Sequence, residues 1–554
     1  MRGTRHGPAV RLSSTLWTLL RAWAALAVST AAAAQTSPPN VLLVVLDDVG
    51  VDLVGSYGEV APGQPTPPEH AATPSLDALA AEGVLFRNAW SAPLCSATRA
   101  SILTGRYSFR TSVGDAFPVL AQGELLLPEV LSNGSYFGGT SPYAHAAIGK
   151  WHVTAYQPLN PDPGLTPVEA GFDAFHGATS NLDGESYFSW TKADEVSAGA
   201  PTVTPGYDVY ATTDNVDDAI GWIQQRSGPW LLWLAFNGVH TPIQGPPAGL
   251  HTQSGVTEEA LADPGDDAEL RLYRRAMLEA LDAELGRLLN GDAALEWTGI
   301  DPATTTVIVV GDNGSSDPLP EAVNRGEKAQ IFEGGINVPL VIAGEGVDLA
   351  AEGAESPALV HLVDLFATVL DLVGIDPGQV TGAAGPIDGR SLVPLLTNPL
   401  LGPGDCPSGV PDDDPTCTRA TVYADGTFVV KSGSGPRRHD VALRDADYKL
   451  IRRACAKHVP HAFEFYDLVA DPGEATNLLF LGLDPPQQSA FDALKARLEA
   501  FTGTSSSGPC PGSGGGCGLG AELVLPLGAL AALRRLAHTK RARGRCPSPG
   551  GSAT

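Results

Sequence analysis

Three apolar runs recur along the chain, each closed abruptly by polar residues. Positions 41–46 (VLLVVL), 230–236 (WLLWLAF) and 305–310 (TTVIVV) are short, continuous stretches of apolar and β-branched residues. That is the pattern of strands buried on both faces of a parallel sheet. The first ends in Asp47-Asp48, the second in Asn237-Gly238-Val239-His240, the third in Gly311-Asp312-Asn313-Gly314. Polar groups at the C-terminal ends of parallel strands lie where open α/β sheets build their sites. Between the runs the period changes. Residues 73–80 read as a capped amphipathic helix from Thr73, stopped at Gly83 before a short strand at 84–86. Residues 214–225 predict a helix, as do 271–289, where Leu272, Met277, Leu281, Leu285 and Leu288 fall near helical spacing. An apolar helix over 360–372 and a short one ending at Leu396 follow. From Ala420 the pattern turns to short strands at 421–423, 428–431, 442–451 and 465–468, closed by a helix at 488–501. Stretches 108–145, 155–210 and 243–265 carry no readable pattern.

The chemistry concentrates in C-S-A-T-R-A-S-I-L-T-G-R, residues 95–106. Helical winding after Cys95 puts the cysteine at a helix N-terminus, where free N–H groups and the macrodipole favour an anion. Arg99 then lies one turn on, on the same face. Further along, A-I-G-K-W-H (147–152) spaces Lys150 and His152 two apart. On an extended segment both side chains face the same way and can address one ligand.

Taken together these blocks resemble the sulfatase family, arylsulfatase-type enzymes in particular: the cysteine motif with its L-T-G-R tail, the N-V-L-L-V-V-L-D-D strand, T-P-S-L-D-A-L-A, G-K-W-H, H-T-P after the second strand, D-N-G after the third, and Lys328 followed by E-G-G. The resemblance runs in order from Asn40 to about Phe501. Two positions depart from it: Ala97 stands where the family usually has proline, and Asn337 where it usually has an arginine that makes a structural ion pair.

The resemblance implies an alkaline phosphatase-like α/β fold, a large mixed, mostly parallel sheet between helices, with a smaller C-terminal antiparallel sheet and helix. It implies a catalytic domain over 35–415 and a second domain over 416–501. It implies that Cys95 is oxidised to formylglycine by a maturation enzyme, and C-x-A-x-R resembles targets of the oxygen-independent radical maturase more than those of the oxygen-dependent one. Asp47, Asp48, Asp312 and Asn313 become metal ligands, with the converted Cys95 facing the same ion. Such oxygen donors suit calcium or magnesium better than zinc, and the resemblance favours calcium. Arg99, Lys150 and Lys328 surround a sulfate ester. One hydroxyl of the hydrated aldehyde attacks sulfur, with Asp312 orienting it. His152 deprotonates the other to release sulfate, and His240 with Lys328 protonates the leaving oxygen. The alternatives are a phosphonate or phosphodiester hydrolase on the same scaffold, and a non-catalytic binding protein with an unconverted Cys95.

Composition narrows the setting. The 554 residues carry a formal net charge of −27. Residues 1–34 hold four arginines and no acid, and 518–554 six basic residues and one acid, so the body between is near −36. A body of that charge repels nucleic acid. Residues 1–34 combine Arg2, Arg5 and Arg11 with an apolar run and the small stretch Ala31-Ala32-Ala33-Ala34, the form of a cleaved export signal. The expected location is periplasmic, cell-surface or extracellular. Export permits disulfides, and Cys406 with Cys417 is the expected pair. Residues 502–516 form a Gly/Ser/Pro linker. Beyond it, Cys517, an apolar run at 523–533 and a basic end resemble a sorting tag that would anchor the protein to a membrane; a disordered tail is the other reading.

Overall fold

The structure is a computed structural model and describes residues 38–58, 70–114, 120–121, 123–153, 165–182, 184–196, 201–261, 266–316, 324–382, 385–405, 417–428, 438–453 and 463–502. The expected export signal, the linker beyond Thr502 (which ends the last helix), the C-terminal tag and Cys406 lie outside these residues. Cys417 is disulfide-bonded, to a partner outside them.

A ten-stranded sheet runs in the order β10-β2-β9-β8-β1-β7-β3-β4-β5-β6. Its strands are β1 (Asn40–Leu46), β2 (Gly83–Trp90), β3 (Ala144–Gly149), β4 (Ala174–Gly177), β5 (Trp190–Glu195), β6 (Thr202–Tyr207), β7 (Trp230–Ala235), β8 (Thr305–Gly311), β9 (Leu340–Gly344) and β10 (Ala354–His361). The block β8-β1-β7-β3-β4 is parallel throughout. All three apolar runs are neighbouring strands of this block in the middle of the sheet, which is why none alternates with polar residues.

Alternate residues of β1 feed two cores. Val41, Leu43 and Val45 pack with Ile102 and Leu103 of helix α2, after α1 (Pro74–Glu82) has covered the other face. Helix α2 spans Cys95–Thr104. Leu42, Val44 and Leu46 pack with Leu76 and Leu79 of α1, Ile220 of α3 (Ala211–Ile223), and Met277 and Leu281 of α4 (Asp267–Asn290). Such a two-sided arrangement buries β1 completely apart from Asn40.

Three expectations need correction. Thr73 does not cap α1; its Oγ1 has no hydrogen-bond partner. Asp282 of α4 accepts the Ser75 and Leu76 N–H groups at 2.9 Å each, capping the helix from a neighbouring element. The run at 360–372 is not one helix. Leu359 and Val360 pair with Asn88 and Ala89 in β10, and α5 begins only at Asp364 (Asp364–Leu372). An apolar stretch fits either period, and here the free edge of β2 takes its first residues. The Asp364 carboxylate accepts the His361 N–H at 2.9 Å, which closes the turn between strand and helix.

After a small ribbon of β11 (Thr381–Gly382) and β12 (Gly385–Pro386), a four-stranded antiparallel sheet follows in order β13 (Val422–Phe428), β14 (Arg438–Arg444), β15 (Tyr448–Arg452), β16 (Phe463–Asp467). The expected strand over 442–451 is thus two strands with a turn between them. One face packs on Leu494 and Leu498 of α6 (Pro485–Thr502), the other on Trp90, Ile331, Phe332 and Ile336. The second contact holds the segment that carries Lys328. No helix among the described residues is long and apolar enough to cross a membrane.

A buried charge cluster joins the two sheets. Lys449, fully buried, reaches Glu333 at 3.1 Å and Glu474 at 2.9 Å, and Arg444 reaches Glu333 at 3.3 Å. Glu333 therefore finds its cations on the C-terminal sheet. Asn337 instead donates to the Arg87 carbonyl at 3.3 Å. Lys449→Met leaves two buried carboxylates without their shared cation, a change worth roughly 3–5 kcal/mol. A marked drop in the denaturation midpoint is expected, and an unchanged midpoint would show that the cluster does not hold the sheets together.

Candidate active site

Register brings the site together. Leu46 of β1 lies opposite Gly311 of β8, Val45 opposite Ala235 of β7, and Ala235 opposite Gly149 of β3. The residues that follow each strand, Asp47-Asp48, Asp312-Asn313, the loop to His240, and Lys150 to His152, therefore emerge at one edge of the parallel block. Helix α2 starts there with Cys95, which is 1% exposed, and Leu94 at its N-cap offers no side-chain hydrogen bond. Its C-terminus closes at Gly105 in the left-handed conformation (φ 67°).

All the residues singled out in the sequence meet here. Arg99 donates through Nε (3.0 Å) and Nη2 (2.8 Å) to Asp312 Oδ2, and through Nη1 to the Lys150 carbonyl (2.8 Å). Lys150 Nζ pairs with Asp47 Oδ2. Lys328 Nζ pairs with Asp48 Oδ1 at 2.5 Å. Cys95 Sγ lies 3.3 Å from His152 Nδ1. His240 is half-buried beside them, its Nδ1 near the Thr241 carbonyl and hydroxyl at 3.0 and 3.2 Å. Asp48 and His152 both adopt positive φ (61° and 55°). Non-glycine residues rarely do, and such strain gathers at functional sites.

Burial and charge set the protonation states. Burial pushes Asp312 up to about 6, helped by Asp47 and opposed by Arg99. Burial also works against ionisation of Asp48, but Lys328 and His240 hold it well below the usual carboxylate range. For Asp47, burial again opposes ionisation and Lys150 lowers the pKa. Burial, with Lys150 and Arg99 nearby, drives His152 well below its usual value. His240 is lowered by burial and by Lys150. Lys328 is raised despite its burial, because Asp48 faces it. Burial raises the Cys95 thiol, so an unmodified Cys95 is neutral at pH 7 and a poor nucleophile.

A cation fits the oxygen atoms left over. Among the described residues, Asp47 Oδ1 and Asn313 Oδ1 are buried without a hydrogen-bond partner. The Asn313 amide is oriented by donation to Asp48 Oδ1 (2.8 Å) and to the Gly314 carbonyl (3.0 Å). Ligand atoms of Asp47, Cys95 and Asp312 lie within 4.8 Å of one another. Carboxylate and amide oxygens in a closed cluster suit a hard divalent ion.

Three contributors were not singled out in the sequence. Ser316 donates to Asp48 Oδ2 at 2.7 Å, and Arg274 of α4 donates to Ser316 Oγ at 3.1 Å and to the Val239 carbonyl at 3.2 Å. Tyr187 donates to the carbonyls of Asn237 (2.6 Å) and His240 (2.9 Å). Together they clamp the His240 loop. Arg274 had a signal: it is a charge in the stripe of Met277, Leu281, Leu285 and Leu288. Tyr187 stands in a stretch without pattern.

Comparison with known proteins agrees with this geometry. The family profile described as Sulfatase matches residues 39–375. N-acetylgalactosamine-6-sulfatase of Sus scrofa is 28% identical over 420 residues, covering 69% of this chain and 70% of its own. Arylsulfatase A of Bos taurus is 28% identical over 533 residues, covering 87% and 89%. Among solved structures, a sulfatase from Pseudoalteromonas sp. superposes with a TM-score of 0.59 at 22% identity, covering 90% of this chain and 97% of its own. Another, solved in complex with its substrate D-glucosamine-2-N,6-O-disulfate, gives 0.58 at 20% identity, covering 85% and 99%. The profile spans more than half of the 554 residues, and the chain belongs to the sulfatase family of sulfuric ester hydrolases.

Proposed function

We propose that this sulfatase cleaves sulfate esters carried on carbohydrates, using formylglycine made from Cys95 and a calcium ion, outside the cytoplasm. One observation carries the reading of the site. The side chain of residue 95 sits at a helix N-terminus, 3.3 Å from His152 and among the carboxylates of Asp47 and Asp312. A neutral thiol has little chemistry in that place, whereas an aldehyde hydrate supplies two hydroxyls to it. Cys95 Sγ here stands in for the oxygen of that group. The carbohydrate class is supported by the relative that acts as an N-acetylgalactosamine-6-sulfatase and by the neighbour bound to a sulfated glucosamine.

The calcium ion would be held by Asp47, Asp48, Asp312 and Asn313, with magnesium as the other candidate, and would polarise a sulfate oxygen and ease ionisation of the attacking hydroxyl. The chain's own groups do the rest. Arg99 keeps Asp312 ionised and fixed, and Asp312 orients the attacking hydroxyl of residue 95. Lys150 and Lys328 face the oxygens on which negative charge builds. His152, neutral at pH 7 because of its depressed pKa, accepts the proton of the second hydroxyl as sulfate leaves. Lys328 is the proton-bearing group at neutral pH beside His240, and the two serve the leaving oxygen.

A panel of sulfated sugars, aryl sulfates, phosphate monoesters and phosphodiesters tests the reading. Sulfate esters should be turned over best; faster cleavage of phosphodiesters would contradict it. Asp47→Ala and Asp312→Ala each remove a ligand and should lower activity at least ~100-fold, the range already reached by changes one shell further out. Bound calcium by elemental analysis should fall in parallel, and zinc at full occupancy in active wild type would refute the hard-cation assignment. His152→Ala should accumulate a covalent sulfated enzyme. His240→Ala should slow substrates with poor leaving groups more than those with good ones; equal losses would remove its acid role. Export predicts a mature chain beginning near residue 35 outside the cytoplasm, and an intact Met1 on the active protein would exclude it.

A further inference from the structure

A cavity of about 150 Å³ opens where α6 meets the last sheet, lined by Tyr107, Arg390, Arg419, Thr421, Tyr423 and Arg497 among others. It is remote from the chemistry. Cys95 begins α2 and Tyr107 lies just past its end, so the length of that ten-residue helix, ~15 Å, separates them.

Three guanidinium groups on one small cavity are unexpected in a body so acidic, and they are unevenly neutralised. Arg419 is bound by the Asp364 carboxylate and donates to the Asp388 carbonyl at 2.7 Å. Among the described residues Arg390 spends only Nη1, on the Cys417 carbonyl at 3.2 Å. Arg497 has no hydrogen-bond or carboxylate partner among the described residues. The nearby Asp388 carboxylate is taken by Arg110 (2.8 Å) and the Tyr107 N–H (3.0 Å). The Tyr423 hydroxyl is buried without a partner among the described residues, on a residue 2% exposed. Burial and the like charge of Arg419 lower the Arg390 pKa, a crowding that an anion would relieve.

We propose that the cavity bounded by Arg390, Arg419 and Arg497 is a second oxyanion site that binds a tetrahedral sulfate group. Guanidinium forks match such an anion through paired charge-assisted hydrogen bonds. The group comes either from a sulfated saccharide chain, of which a different sulfate is being cleaved, or from free sulfate. The site does not depend on turnover, so its test stands apart from that of the sulfatase reading.

Crystals of the full chain soaked in sodium selenate should show an anomalous peak between Arg390 and Arg497. Arg497 is exposed on α6, so Arg497→Gln should fold normally and lose the peak, and Arg390→Gln should do the same. Selenate absent from this cavity in the wild type, or retained in both variants, overturns the proposal. Kinetics then assign the source. If it is a polymer sulfate, Arg497→Gln raises KM for sulfated oligosaccharides about tenfold, the loss of one charge-assisted bond, and leaves a small aryl sulfate unchanged. If it is free sulfate, both KM values stay as they are and only the selenate peak is lost.

Discussion

The fully buried ion pair between Arg99 and Asp312 is the interaction on which the site depends. It links the first helical turn after Cys95 to the end of β8, and through the Lys150 carbonyl to the end of β3. A guanidinium and a carboxylate with no exposure repay their desolvation only when the geometry is good and the remaining donors are used. Here all three groups of Arg99 that donate are engaged. The pair extends into a balanced set. Asp47, Asp48 and Asp312 face Arg99, Lys150 and Lys328, three carboxylates against three cations. A divalent ion added to that balance makes the site net positive, and a sulfate ester then brings the compensating charge. The acidic body around it does not exclude an anionic substrate, because the local field is set by these buried cations.

Fold and site were legible in the sequence to different depths. The three strands beside the site were readable because strands buried on both faces leave an unbroken apolar run, and the residues just past them line the candidate site. Position at the ends of parallel strands pointed to Asp47, Asp48, His240, Asp312 and Asn313, and the family resemblance singled them out; parallel register does bring these strand ends level. Spacing suggested Lys150 and His152 and the G-K-W-H block of the resemblance singled them out, although the positive φ of His152 shows that the segment is not a simple extended strand. What failed was decided by partners distant in sequence. The cap of α1 comes from Asp282, more than 200 residues after Ser75. The first residues of 360–372 became strand because β2 had an open side. Tyr187, which fixes the His240 loop, has no local pattern to mark it.

Asn337, where the family usually has arginine, donates to the Arg87 carbonyl beside a charge cluster that already supplies its own cations. Glu333 carries two cations supplied by the C-terminal sheet, Lys449 and Arg444, so an arginine at 337 is not needed for its charge. The small sheet thus contributes to the site at second hand. It holds Glu333, and with it the turn that presents Lys328 to Asp48.

Everything turns on what residue 95 is in the working protein. Its burial keeps a thiol neutral and out of reach of a modifying enzyme once folded, so on the proposed reading conversion precedes folding and depends on local sequence, where Ala97 replaces the usual proline. Peptide mass spectrometry across residues 88–106 of active protein is the direct measurement. The account predicts an aldehyde at Cys95, with specific activity rising in proportion to the aldehyde fraction. In a host that supplies only the proline-preferring maturase, Ala97→Pro should raise both. A fully active protein whose Cys95 remains an unmodified thiol would contradict it.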